Sequence, residues 1–340
     1  MRKLLNVLYV TTPESYLSKD GQNVVVSVKQ EEKFRIPIIN LEGIVAFGYM
    51  GASPGLMRLC AENGVSLAFL SPNGRYIGRF QGPVQGNVLL RKAQYGVADD
   101  EERSLHFARL FIAGKIQNYR SILQRFERDY GVNQDVGAAI RVLEIEKKTV
   151  LSARSSSQLI GFEGDAANSY FGVFPNLILH QKEDFCFHGR NRHPPKDKVN
   201  AMLSFVYTLL ANETAAALET VGLDPYVGFL HKLRPGRQSL ALDLMEEMRA
   251  YLGDRLVLSL INRKQLSVKD FVEQGEGVVQ MTDEGRKTLL TAWQKRKAEV
   301  IVHPYLEEKI SLGLLPYVQA QLLARAIRGD IDDYPVFLIR

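Results

Sequence analysis

The chain is poor in the residues that build stapled or metal-clipped folds. Its 340 residues include two cysteines, Cys60 and Cys186, and one tryptophan. Two scattered thiols exclude a disulfide framework and a cysteine-ligated zinc site. No apolar run approaches the ~20 residues that a membrane span requires. The N-terminal MRKLLNVLYVTTP lacks a small-residue cleavage site and reads as a strand rather than a signal peptide. A cytoplasmic protein without a membrane partner is the expectation. Several short enzyme motifs are missing too. There is no GxxxxGK[ST] phosphate loop, which argues against nucleotide hydrolysis, and no HExxH, CxxC, GxSxG or strand-to-helix GxGxxG.

Hydrophobic residues make up 46% of the chain, so it is globular and long enough for two domains with a sizeable core. The net charge of +5 suits a polyanionic partner without demanding one. From Leu4 to about Gln85 the apolar residues follow period two, as in Leu5-Val7-Tyr9 and Val24-Val26-Val28, with turn signals at Asp20-Gly21 and Asn73-Gly74. One short helix is expected from Pro54 to Asn63. After a charged cluster at Asp99 to Arg103 the period becomes helical, in stripes such as Phe111-Ile112-Ile116-Tyr119 and Val199-Met202-Leu203-Val206. The fold class is therefore α+β: an N-terminal β-rich domain (1–85), a linker (86–104), and a larger all-α domain (105–340) that carries the chemistry.

Two stretches hold the candidate site. From Leu223 to Arg249, LDPYVGFLHKLRPGRQSLALDLMEEMR, a turn leads through His231 and a basic loop into a helix with Ser239 at its expected N-cap. Leu240, Leu244 and Met248 give that helix a buried face. Asp243, Glu246 and Glu247 project from one side, as a solvated face or as ligands. The second stretch, QLIGFEGDAANSYF from Gln158 to Phe171, sets Glu163 on a helix of small and apolar residues. A carboxylate facing packed surface needs a partner, either an arginine or a metal shared with His231 and Glu246. Two hard oxygen ligands and one imidazole suit Mg²⁺ or Mn²⁺. Asp243 can be a further ligand, an acceptor behind the ligands, or the base that orients the nucleophile. Basic residues flank these motifs, with Arg192, Arg234, Arg237 and Lys264 as phosphate-contact candidates. Tyr170 and Tyr207 are either core or contacts to the phosphate-bearing partner near the site.

EGDAANSYF and LDPYVGFLHKLRPGRQSLALDLMEEMR resemble the two metal-site motifs of the CRISPR-associated integrase-endonucleases, which insert new spacers. KLLNVLYVTTPESYLSKDGQNVVV, RNRHPPKDKVNAMLSFVYTLL and INRKQ extend the resemblance over nearly the whole chain, closest to subtype I-C. It implies a metal site of Glu163, His231 and Glu246 with Asp243 in support; Glu246 stands where the family often has Asp. It also implies attack by the 3′-hydroxyl of a captured DNA fragment on a repeat phosphodiester. Such a transesterification conserves phosphodiester bonds and needs no ATP. The implied partners are branched and double-stranded DNA, a second copy of the chain through the β-domain, the second CRISPR-associated protein of the adaptation complex (Cas two), and a Cas four-type nuclease. The alternatives are a non-catalytic DNA-binding scaffold whose acids only pair with cations, and a hydrolase of small phosphoesters.

Overall fold

The computed structural model describes residues 7–339 apart from 42, 49, 73–75, 81, 83–87, 192–193 and 232. Leu4, Leu5 and the Asn73-Gly74 turn lie outside the described residues. The N-terminal region carries β1 (Val7–Val10), β2 (Ser15–Asp20), β3 (Asn23–Val28), β4 (Glu31–Pro37), β5 (Gly43–Phe47), α1 (Pro54–Asn63), β6 (Ser66–Leu70) and β7 (Tyr76–Phe80). Asp20-Gly21 turns β2 into β3, with Gly21 at φ 55°, and β2-β3-β4 form an antiparallel meander. The other sheet runs β1-β5-β6-β7, parallel across its first three strands and antiparallel at β7. Helix α1 has the boundaries that local chemistry dictates. The Ser53 side chain accepts from the Leu56 N–H, Pro54 starts the first turn, and Gly64 ends it in the left-handed region.

Alternation along β5 decides how this sheet is used. Ile44 and Ala46 face a small core shared with Leu17, Val24, Leu56 and Leu59, whereas Val45 and Phe47 face the large helical core. The β-region is therefore one wall of the main core. A buried Arg79–Glu219 ion pair and a Glu213 carboxylate that accepts from Tyr9, Trp293 and Lys297 hold the two regions together.

The helical region follows as α2 (Val88–Asp99), α3 (Glu101–Tyr130), α4 (Gln134–Leu151), α5 (Ser156–Gly172), α6 (Lys198–Val221), α7 (Ser239–Met248) and α8 (Arg255–Asn262). Then come β8 (Phe271–Gln274), β9 (Val278–Met281), α9 (Asp283–Ala298), β10 (Val300–Val302), β11 (Lys309–Ser311) and α10 (Leu315–Arg328). The last four strands form two short antiparallel ribbons. The charged cluster at 99–103 is the start of α3, where Asp100 accepts from the N–H groups of Glu102 and Arg103. The stretch expected as a linker contains α2. Its buried Gln94 donates to the Asp224 and Val227 carbonyls and accepts from the Asp224 N–H, clamping the loop that leads to His231. Helix α6 is long and apolar enough to cross a membrane by length and composition, yet most of it is buried among the other helices as core.

The C-terminal residues form a strap across α3 and α7. Asn118 donates to the Phe337 carbonyl and accepts from the Ile339 N–H. Glu247 accepts from Gln319, from the Tyr334 hydroxyl at 2.5 Å and from the Phe337 N–H at 2.9 Å. Burial raises the Glu247 carboxyl to about 7 despite these three donors. The strap thus grips the back of the helix that carries Glu246.

Candidate metal centre

Asp243 organises the loop before α7. Its side chain is fully buried, and Oδ2 accepts from the N–H groups of Phe229 at 2.6 Å and Leu230 at 2.9 Å. Oδ1 accepts from the His231 N–H at 3.1 Å and lies 2.5 Å from His231 Nδ1. One carboxylate therefore folds the loop and fixes the imidazole. With Nδ1 bound to an acceptor, Nε2 is the nitrogen left for a cation. Both Asp243 oxygens already take two donors each, which favours its supporting role over ligation. Ser239 is buried at the first position of α7; no side-chain cap is formed there, and Gln238 precedes it. The acids of α7 are not a solvated face, since Asp243, Glu246 and Glu247 are all buried.

The loop can approach α7 this closely because residue 228 is glycine. A Cβ there would lie 2.6 Å from Asp243 Oδ2 and 2.7–2.8 Å from the backbone of Ser239 and Leu240. We expect Gly228→Ala to push the loop off Asp243, to cost about 1–3 kcal/mol as overpacking does, and to weaken Mn²⁺ binding through His231. Thermal unfolding together with Mn²⁺ titration checks this; a variant with unchanged melting and unchanged metal binding would show the contact to be soft.

Glu163 and Glu246 come from α5 and α7 and meet at Lys115 of α3. The Lys115 ammonium, 2% exposed, pairs with Glu163 Oε1 and lies 2.8 Å from Glu246 Oε2. Arg249 Nη1 lies 3.0 Å from the other Glu246 oxygen. Burial alone would raise the Glu246 pKa; Arg249, Lys115 and His231 outweigh it and hold the carboxyl at about 2. Arg249 opens a π-helical turn, Arg249–Asp254, that links α7 to α8. Its guanidinium stacks 4.9 Å from the Tyr207 ring centre, with Arg190 over the same ring at 5.2 Å. The Tyr207 hydroxyl donates to Asp254 Oδ1 at 2.5 Å, and burial raises the Asp254 carboxyl to about 6.

These residues fit a hard divalent cation in donor type. They offer two carboxylates and an imidazole whose Nδ1 is already engaged. Glu246 Oε2 is buried, and the Lys115 ammonium 2.8 Å away is the cation that serves it. As the side chains stand, no group of three His, Cys, Asp or Glu among the described residues is placed to hold a metal. The Lys115 ammonium contacts both glutamates. A cavity of about 230 Å³ between the sheet and α6, lined by Asn212, Glu213 and Lys297, includes none of Glu163, His231 and Glu246.

The family model described as "CRISPR associated protein Cas1" matches residues 8–295. The chain belongs to the CRISPR-associated Cas1 family. It is 51% identical over 343 residues to CRISPR-associated endonuclease Cas1 1 of Chlorobaculum tepidum, with both chains covered in full. Its fold is that of a Cas1 protein from Thermotoga maritima, with a TM-score of 0.82 at 24% identity over 98% of this chain and 100% of the other. A casposase bound to integration product shares it as well, with a TM-score of 0.83 at 23% identity over 97% and 93%.

Within this Cas1 fold the DNA-contact candidates fare unequally. Arg234 and Lys264 are exposed and Arg237 is partly so, each on a loop, while Arg192 lies outside the described residues. Tyr170 is corrected to core. It is fully buried and stacked 3.8 Å from Tyr119, because the apolar faces of α3 and α5 close over it. Tyr207 has the Arg190 and Arg249 guanidinium groups over its ring and donates its hydroxyl to Asp254. The cation paired with Glu163 is a lysine, Lys115, rather than an arginine. Lys115 and Arg249 escaped notice in the sequence alone. The signal for Lys115 was a lone charge at 115 inside the stripe Phe111-Ile112-Ile116-Tyr119.

Proposed function

We propose that this chain is a metal-dependent DNA endonuclease and integrase of CRISPR adaptation, with Glu163, His231 and Glu246 as ligands of Mg²⁺ or Mn²⁺. The observation that carries this reading is the Asp243–His231 Nδ1 contact, which leaves Nε2 as the available nitrogen on an imidazole whose charge is felt by Glu246, the glutamate that shares Lys115 with Glu163. When bound, the ion neutralises phosphate charge and makes an attacking hydroxyl more acidic. The protein's own part is placement. Asp243 holds the imidazole in one tautomer, Arg249 fixes Glu246, and the strap and the Gln94 clamp keep α7 and its loop rigid. Arg192, Arg234, Arg237 and Lys264 hold the DNA backbone. The β-region, about residues 1–85, serves self-association and partner contact, and 105–340 carry the chemistry.

Integration is favoured over plain hydrolysis because a held 3′-hydroxyl enjoys an effective concentration of up to about 10⁵–10⁸ M in well-oriented cases. A casposase of the same fold is bound to integration product, which supports this reading. Partnership with Cas2 is supported by a Cas6-RT-Cas1–Cas2 complex of the same fold, TM-score 0.81. Partnership with a Cas4-type nuclease is supported by a Cas4/Cas1 fusion from Geobacter sulfurreducens, 35% identical over 98% of this chain and 60% of the fusion. The subtype I-C assignment rests on the sequence motifs.

The test is to incubate a labelled fragment with a plasmid bearing the cognate repeat, the Cas2 partner and Mn²⁺, without ATP. Label joins the plasmid when the fragment has free 3′-hydroxyls and stays off when they are blocked. Equal transfer from blocked and free ends would remove the integrase mechanism, and nicking alone in every lane would leave a nuclease. One observation favours the scaffold reading: Lys115 and Arg249 neutralise Glu163 and Glu246 without any metal. A chain that binds DNA but neither cuts nor joins it under these conditions would be that scaffold.

A further inference from the structure

We propose that Lys115 is a built-in cation of the metal centre, holding Glu163 and Glu246 together when no metal is bound and giving way to the divalent ion when it arrives. The inference rests on the metal-centre reading above and deepens it. Lysine is almost never fully buried unless paired. Here the ammonium is 2% exposed, lies 5.6 Å from the centre of the Tyr119 ring, and pairs with carboxylates from two other helices. It is what draws α5 and α7 to α3 at this point.

Charge counting makes the arrangement a competition. Glu163 and Glu246 are balanced by Lys115 and Arg249 as the side chains stand. A divalent ion added to that set brings two further positive charges, of which the Asp243 carboxylate behind His231 offsets one, and a low-dielectric site penalises the remainder. One resident cation must therefore retreat, and geometry selects Lys115. Arg249 is anchored by its stacking on Tyr207 and reaches one Glu246 oxygen from the side. Lys115 stands between the two glutamates, where a shared ion would bind, and it has a flexible four-carbon stem. Its root in α3 keeps the displaced ammonium within a side chain's length of the centre.

The test is Mn²⁺ binding to the full-length protein, read from the electron paramagnetic resonance signal of free aqueous Mn²⁺ and independent of DNA cleavage. Lys115→Met should bind Mn²⁺ about tenfold more tightly than the unaltered chain, the scale of one charge-assisted bond that the ion no longer has to displace. Lys115→Arg, which keeps the charge, should stay near the unaltered affinity. In chelator Lys115→Met should melt lower than the unaltered chain, and Mn²⁺ should raise its melting point by more. Should Lys115→Met fold poorly, Lys115→Gln removes the charge while keeping a polar end and should shift affinity in the same direction. His231→Ala separates the two readings. If it loses Mn²⁺ while the neutral Lys115 variants bind no tighter than the unaltered chain, Lys115 is not a competing cation although the metal centre stands. If neither the unaltered chain nor any variant binds Mn²⁺, the metal centre itself falls and takes this role with it.

Discussion

Glu163→Gln, His231→Ala and Glu246→Gln should each reduce Mn²⁺-dependent DNA cleavage to background while leaving a folded protein. The three side chains come from α5, from the loop before α7 and from α7, and the proposed reaction needs all of them at one ion. Their effects on stability should differ, which separates a lost ligand from a lost fold. Glu246 is 4% exposed and faces both Lys115 and Arg249, so a neutral amide leaves two buried cations short of a partner. Breaking a buried pair on one side costs about 3–5 kcal/mol, and Glu246→Gln should sit toward the lower end because its amide oxygen still accepts. Glu163 is 27% exposed and, among the described residues, its ion pair is with Lys115, so Glu163→Gln should melt close to the unaltered chain. His231→Ala removes a ring that Asp243 holds but leaves the backbone N–H bonds of the loop intact. Cleavage rate beside circular dichroism melting is the measurement. If any one of the three keeps near-normal cleavage, that residue is not a ligand.

Asp243 should be as sensitive, for a different reason. Asp243→Ala strips the acceptor from three backbone N–H groups in a buried loop, and each orphaned donor costs about 1–3 kcal/mol. The expected result is a protein several kcal/mol less stable that binds no Mn²⁺. Asp243→Asn is the sharper probe. Placing its NH₂ at the Oδ2 position would face two N–H donors, from Phe229 and Leu230. Placing it at the Oδ1 position faces only one, from His231, and lets the amide donate to His231 Nδ1. The second orientation is favoured, and it moves the imidazole proton to Nε2, the nitrogen a metal would need. Asp243→Asn should therefore fold much better than Asp243→Ala and still lose Mn²⁺ affinity. Metal binding by Asp243→Asn at the unaltered strength would show that the tautomer of His231 does not matter and that the imidazole is not a ligand through Nε2.

Much of the local structure was legible in the residues. Helix α1 has the boundaries expected from Pro54 to Asn63, since Ser53, Pro54 and Gly64 act within one turn of themselves. Asp20-Gly21 turns where expected, and Leu240, Leu244 and Met248 form the buried face of α7. The α+β order was legible for the same reason, because periods of two and of 3.6 are properties of neighbouring residues. Helix α2 was missed: Val88, Leu89 and Tyr95 are exposed, its buried face is only Leu90, Gln94 and Val97, and Gln94 is held by a loop some 130 positions away.

By itself the sequence determined the β-rich start and the helical remainder, though neither α2 nor the two β-ribbons that interrupt the region expected to be all-α, along with the family resemblance and which acids and which histidine are available for a metal. Tertiary structure alone decided that Asp243, Glu246 and Glu247 are buried rather than solvated. Tertiary structure also placed Lys115 between the two glutamates, sealed Tyr170 in the core, and set the C-terminal strap against α7. Helix and strand formation is governed by contacts a few residues apart, and those are written in the chain. A buried charge is tolerated only where the fold brings an opposite charge or a donor to it; Arg249 lies one turn from Glu246, but Lys115 of α3 and the C-terminal strap come from far away in sequence.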